Sequence, residues 1–383
     1  MVERKTTAAW LCSLHSSVTK NVAMRLRRAI ADSRQEGNRA KPLAWPTYKR
    51  WSSDWFSLEY DEPNKGFHRN GRDLVLALGR DAEKKRLSVA VRLRESPPDF
   101  LTRSHTRSLR ITRDLGTYYA VFTVSRDLVD KRPLSATPRI AAIDPGHRNV
   151  LTIVGTDGVS TKVPKPTCLI ALDRRIDATK SRRDHCVKKS VYHTEGAGRP
   201  YWSPSRRWNF YNAKLNVLYT RRREQTKTWE YTVLNRLYHE YDLVAFGNYA
   251  PHGNGRSTGE RRSMNGRSLI GSFKTTGAWI AERSGAHFTI WNERGSTRTC
   301  AWCGAIVIGG LTPDIETWLC FCGRTNDRDE NAAQNGLMKV SQEINMPCSG
   351  PREIVSRRTW RLTAHGVTEV THTPERRHSG SAA

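Results

Sequence analysis

The chain has 383 residues, enough for two or three packed units. Lysine and arginine number 64 against 37 aspartates and glutamates, a net charge of +27. A compact fold has no need of that excess and is weakened by its self-repulsion, so a polyanionic partner is expected, nucleic acid first and a membrane surface second. No apolar run approaches the roughly 18 residues of a spanning helix. The first residues, MVERKTTAAWLC, lack the apolar core of a signal peptide. The expectation is an intracellular protein. There the eight cysteines are reduced, and clustered ones read as metal ligands rather than disulfides.

In chain order, residues 8–35 predict a helix with Val18, Val22, Met24, Leu26 and Ile30 on an apolar face. Pro42 and Pro46 break it. Residues 50–130 predict strands, including the alternating RLSVAVRL (86–93) and a hairpin over 108–125 turning at Asp114-Leu115-Gly116. Residues 130–139, with two prolines, predict a linker. An apolar strand then ends at Asp144, and a second hairpin turns at Asp157-Gly158. Residues 205–241 predict a long helix or a helix pair, with Trp208, Tyr211, Leu215, Leu218, Trp229, Val233, Leu237 and Tyr241 at helical spacing. DLVAFGN (242–248) is a buried strand, 268–284 a helix, and AHFTIWNE (286–293) another strand. The polar stretch after 346 predicts a disordered tail. From 139 to 293 the order is strand, hairpin, helix, strand, helix, strand, the order of a ribonuclease-H-like mixed sheet.

Three segments carry chemistry. Cys300 and Cys303 form one close pair, Cys320 and Cys322 another, with 16 residues between the pairs. Four thiolates on two turns suit one tetrahedral Zn²⁺ with a structural role, although the second pair is one residue tighter than the usual spacing. Asp144 ends a strand before Pro-Gly, which suits a metal ligand and equally an ordinary turn. Asp327 and Asp329 open a helix in NDRDENAAQN, where capping is the commoner role of aspartate. Basic runs interleaved with aromatics point to a nucleic-acid groove, with Arg206, Arg207, Arg221, Arg222, Arg223, Arg261 and Arg262 as candidate contacts.

Taken together, Asp-Pro-Gly-x-Arg-Asn (144–149), Thr-x-x-Cys-x-x-Cys-Gly (297–304), the second cysteine pair and Asp-Arg-Asp-x-Asn-Ala-Ala (327–333) resemble the TnpB family. These are transposon-encoded RNA-guided DNA endonucleases, related to the Fanzor proteins and to type V CRISPR effectors. The resemblance runs from Trp10 to about Leu337. It implies an α/β chain: an RNase H-like (RuvC) nuclease domain at 136–296 and 325–345, with an inserted zinc ribbon at 297–324. A helical recognition segment (1–45, expected to be shortened) and a β-barrel-like wedge domain (46–135) precede it, and a disordered tail (346–383) follows.

The resemblance also implies two catalytic Mg²⁺ ions held by three carboxylates, with guide RNA and double-stranded target DNA as partners. Location would be with the genome, in the nucleus of a eukaryote or the nucleoid of a prokaryote. Asp144 matches the first carboxylate and Asp329, rather than Asp327, the last. The middle acid of the family ends the strand that here reads Phe246-Gly247-Asn248, with no acid. Glu293, ending the next strand, is expected to replace it, as in Fanzor proteins. Two strand spacings put these strands about 9.6 Å apart, and two ions with their oxygen ligands span about 8 Å. A glutamate side chain closes that difference. A nuclease-inactive repressor that still binds guided DNA is the second expectation. A plain zinc-ribbon DNA-binding protein is the third, and it leaves the acids and the strand order unexplained.

Overall fold

A computed structural model describes residues 14–34, 46, 56–98, 101, 106–125, 129–194, 201–250, 267–312, 314–346, 350–363 and 366–372. They belong to two compact units, Met1–Asp127 and Leu128–Ala383. No helix among the described residues is long and apolar enough to cross a membrane.

In the first unit, helix α1 (Ser16–Arg34) lies on strand β1 (Phe56–Tyr60). Arg25 donates to the Ser57 carbonyl and Asn21 to the Glu59 carbonyl, so the contact is largely polar. The expected apolar face is mostly open: Val18 packs on the core, while Val22, Met24 and Leu26 are exposed. Strands β2 (Phe67–Asn70), β3 (Asp73–Arg80) and β4 (Arg86–Arg92) make one antiparallel sheet. β1, β5 (Thr106–Asp114) and β6 (Thr117–Val124) make another. The β5–β6 hairpin turns at Leu115-Gly116, both with positive φ, as the twist of a two-residue hairpin requires. Among the described residues no ladder joins the two sheets into a barrel. The helix and the strands belong to one unit, which ends at Asp127. Residues 129–135 go with the second unit, where Leu134 packs on its core and the Arg132 N–H donates to the Gly285 carbonyl.

The second unit is built on a seven-stranded sheet. β7 (Ile140–Pro145), β8 (Asn149–Gly155) and β9 (Val159–Pro164) form an antiparallel meander. β12 (Leu243–Gly247) and then β13 (His287–Trp291) add parallel to β7. β7 and β12 are buried along their length, as parallel strands covered on both faces must be. Their side chains alternate between two cores. Ala141, Ile143, Val244 and Phe246 meet helices α2 (Thr167–His185), α3 (Arg206–Glu240) and α4 (Ile270–Ser284). Ile140, Ala142, Leu243 and Ala245 meet helix α5 (Arg328–Glu343) on the other face. Residues 205–241 are thus a single helix. α2 and the short hairpin of β10 (Val191–His193) and β11 (Tyr201–Ser203) were not legible as elements.

The tail departs most from expectation. β14 (Thr317–Leu319) and β15 (Thr325–Asp327) pair with each other outside the sheet, but β16 (Ser356–Thr363) pairs parallel to β9, and β17 (Gly366–His372) pairs with β16, so the chain after 346 completes the sheet. Trp360 is fully buried, with the guanidinium carbons of Arg236 and Arg358 4.5 and 4.9 Å from its ring centroid. Arg357 clasps the buried Glu330 carboxylate with both Nε and Nη2. Arginine and threonine, which read as disorder in composition, are here cross-strand and ion-pair residues.

Candidate functional site

Asp144 follows Ala142 by two on β7, and Gly247 follows Ala245 by two on β12. Both therefore face α5, because side chains alternate along a strand. Trp291, the end of β13, packs on that same face. The register sets Phe246 beside Ile143 and Gly247 beside Trp291, so these strand ends are level. Just beyond them the chain is latched. The Asn248 N–H donates to the Trp291 carbonyl (3.0 Å), and the Glu293 N–H donates to the Asn248 side-chain oxygen (3.1 Å).

Glu293 then folds its side chain back over β12. A Cβ added at Gly247 would lie 1.5 Å from Glu293 Oε1 and 2.4 Å from its carboxyl carbon. The carboxylate thus occupies the place where a side chain at 247 would begin. Its Oε1 is buried without a hydrogen-bond partner. Burial pushes its pKa up to about 7, against a Tyr249 backbone N–H and the Lys274 ammonium, which favour the charge. Lys274 is fixed nearby by donating to the Tyr249 carbonyl at 2.6 Å. Asp144 is 8% exposed. Burial, then the charges of Glu293 and Asp329, hold it well above the usual carboxylate range, while Arg328 acts the other way.

Asp329 stands in the first turn of α5, with Arg328 donating to its Oδ1 at 2.9 and 3.0 Å. Asp327 caps that helix: its Oδ1 accepts from the N–H groups of Asp329 and Glu330, and its Oδ2 meets Lys162 Nζ at 2.7 Å. Expected ligands Asp144, Glu293 and Asp329 therefore share one electrostatic neighbourhood, and Asp327 has structural work beside it.

The Asn-Ala-Ala segment also resolves into physics. Ala332 and Ala333 are fully buried, Ala333 against the sheet. Asn331 and Asn335, one turn apart, each donate to the carbonyls of Ser296 and Thr299, and Asn331 accepts from the Ala301 N–H. They clamp the strand-to-cysteine loop onto the same helix that presents Asp329. Gly336 is required lower down, because a Cβ there would lie 2.4 Å from the Trp291 ring.

The four cysteines converge, with all four Sγ atoms within 4.8 Å of one another. Cys300–Cys322 and Cys303–Cys320 stand at 3.9 and 3.5 Å. A tetrahedron with Zn–S bonds of about 2.3 Å has edges near 3.8 Å, so the set fits zinc despite its tight second pair. Among the described residues no other group of three or more Cys, His, Asp or Glu is so close.

The arginines divide. Arg206, Arg207, Arg221 and Arg223 are exposed along α3. Arg222 instead donates to the buried Asp173 of α2 at 2.6 Å, joined there by Lys165 at 2.7 Å. The expected surface role does not suit it; it fastens two helices. Arg261 and Arg262 lie outside the described residues. Sequence reasoning missed Arg357, Glu330 and the clamp role of Asn335. The spacing of Asn331 and Asn335, four apart on one helix face, was the available signal for the last.

Residues 271–335 match the protein-family model described as Cas12f1-like, TNB domain. That stretch holds α4, Glu293, the four cysteines and the first half of α5. No curated protein matches the chain. Among solved structures it is similar to a Cas12f1–sgRNA–target DNA complex, at 12% identity and a TM-score of 0.50, covering 76% of this chain and 66% of that one. It also matches a CRISPR-Cas12f ternary complex (13% identity, TM-score 0.36, 88% and 73% covered) and CasPhi-2 (Cas12j) bound to crRNA (12%, 0.38, 84% and 84%). At these identities the likeness is one of fold, and at the last two scores it adds nothing to the first. The cysteine lobe and the helix that clamps it are thus similar to the Cas12f1-like TNB domain, set in a mixed α/β fold similar to that of a Cas12f1 protein.

Proposed function

We propose that the chain is an RNA-guided DNA endonuclease of a transposable element, hydrolysing DNA phosphodiester bonds at Asp144, Glu293 and Asp329. The observation that carries this reading is the fold-back of Glu293 into the space that Gly247 leaves open, beside two further acids. A buried Asp144 whose pKa is raised by burial and by the charges of Glu293 and Asp329, beside a Glu293 with an orphaned oxygen, is costly without a cation. Hard oxygen donors suit Mg²⁺, and three carboxylates can serve two such ions. When bound, those ions would supply an activated water and charge stabilisation at the scissile phosphate. The chain's own part is to fix the donors. Asn248 and the Asn331–Asn335 clamp set the exit of β13, and Arg328 with the Asp327 cap sets Asp329. The four cysteines would hold one structural Zn²⁺ that organises this clamp.

Under the same reading the first unit acts as the wedge that grips guide RNA and the motif flanking the target, whatever closes its two sheets. Guide pairing chooses the sequence, and the protein works with the genome. The Cas12f1 complex contains sgRNA and target DNA by its own description, and the chain covers 66% of that protein. The absence of an acid at Phe246-Gly247-Asn248 favours a second reading, a nuclease-inactive RNA-guided DNA-binding repressor. Sequencing the RNA that co-purifies with the protein supplies the guide. Cleavage and binding of guide-matched DNA are then measured on the same samples with Mg²⁺. Cutting supports the endonuclease, guided binding without cutting supports the repressor, and no co-purifying RNA defeats both.

A further inference from the structure

The outer end of the α2–α3 pair stands apart from the carboxylates and the cysteines. β7 runs antiparallel to β8, and β8 to β9, so β7 and β9 end at the same edge of the sheet. Asp144 lies at that edge, and α2 starts there, three residues after β9. Its 19 residues reach about 28 Å. The core holds only the first half: Leu169, Leu172 and Ile176 are buried, and no α2 residue after Ile176 is. α3 returns beside it, its first buried residue being Leu215. What stands beyond the core at the acid-bearing edge is an arm tipped by the β10–β11 hairpin.

The tip is aromatic and basic. Tyr192 and Trp202 face each other across the hairpin, 62% and 38% exposed, and Tyr201 is 56% exposed. Phe210, also 56% exposed, follows on α3 with Lys214 Nζ 5.0 Å from its ring centroid. A two-strand hairpin gains nothing in stability from rings turned to water. They are nonetheless held firmly. Trp202 meets Trp208 edge to face at 4.8 Å, and Arg183 covers Trp208. The base of the hairpin is fastened by Ser205, whose N–H donates to Ser190 Oγ and whose Oγ caps α3. Over 180–194 and 201–221 there are nine lysines and arginines and one acid, Asp184, which is paired with Arg183.

Rigid exposed rings set among cations that outnumber acids nine to one suit a strand whose bases are unpaired: the phosphates meet the cations and the base faces meet the rings. A duplex hides those faces. We infer that this arm is a docking surface for single-stranded DNA, the strand left unpaired when a guide displaces it beside the acids. The identity of that strand rests on the Proposed function; the surface itself does not.

The test measures binding of fluorescein-labelled oligo(dT) and oligo(rU) of about 20 nucleotides to the full chain by anisotropy across a salt series. Tyr192→Ala/Trp202→Ala should weaken oligo(dT) about tenfold or more. It should leave the slope of log K against log salt unchanged, because the cations remain. Tyr192→Phe/Trp202→Phe keeps the rings and should bind within about threefold of wild type, which separates stacking from misfolding. Unchanged oligo(dT) binding in the alanine variant overturns the inference. So does a loss confined to oligo(rU), or loss of self-association by sedimentation with oligo(dT) binding intact. Guided cleavage by the wild type is scored in parallel. A cutting enzyme whose alanine variant still binds oligo(dT) sinks the arm alone, whereas lost oligo(dT) binding with no cutting by wild type supports the arm and sinks the endonuclease.

Discussion

The cysteine cluster and the carboxylate cluster lie at the two ends of one loop, and they are built in opposite ways. The cysteines fall within 23 residues and their turns bring them together almost unaided. The acids come from Asp144, Glu293 and Asp329, on two strand ends and a helix start. They meet only because three parallel strands end level and α5 packs across them. A local site of this kind tolerates changes elsewhere in the fold. A distributed one depends on residues that bear no charge, and Gly247 is the sharpest case.

The largest expected effect breaks the distributed site without touching an acid. Gly247→Ala places a methyl inside the Glu293 carboxylate, so it should lower Mg²⁺-dependent cutting of guide-matched DNA about 10³-fold, as far as Glu293→Ala, Asp144→Ala or Asp329→Ala. Guided binding should persist in all four, and Asn248→Ala should be much milder. Normal cutting by Gly247→Ala would show that Glu293 does not act from this position.

On the local site, purified protein should carry about one equivalent of zinc. Cys300→Ser or Cys303→Ser should lower the zinc content and the melting temperature together. Full zinc in both variants would dismiss the tetrathiolate. Next in size is the strap across the back of α5. Arg357→Ala strips the partner from the buried Glu330 carboxylate and should cost about 1–3 kcal/mol in urea unfolding, reduced from a fully buried pair because Arg357 is 46% exposed.

The carboxylate cluster should also show in the pH dependence of stability in EDTA. An acid whose pKa moves from 4.5 up to about 7 on folding destabilises the native state once pH rises through that window, since it must lose its proton while buried. Glu293→Gln should therefore match wild type near pH 4.5 and exceed it above pH 7. The full shift corresponds to about 3 kcal/mol, and partial exposure brings the expectation to about 1–2. A difference that does not vary with pH would contradict the burial argument. Smallest is Asp327→Ala, which removes a helix cap and should cost about 1 kcal/mol while cutting continues.

Residue spacing along the chain determined a good deal: the tetrathiolate, the long α3, the strands bearing Asp144 and Glu293, and the capping role open to Asp327. Each depends on neighbours within a few turns or one strand, where periodicity and side-chain chemistry act directly. The tertiary structure decided the rest. α2 carries a weak apolar stripe because only its first half is covered, and β16–β17 read as polar because their arginines find carboxylates on α3 and α5, distant in the chain. Arg222 looked like a surface cation until Asp173 was placed against it. Gly247 and Glu293 draw on both levels. That residues 246–248 hold no acid is visible in the sequence alone, whereas the level strand ends of the packed sheet decide that the Glu293 carboxylate lies where a side chain at 247 would begin.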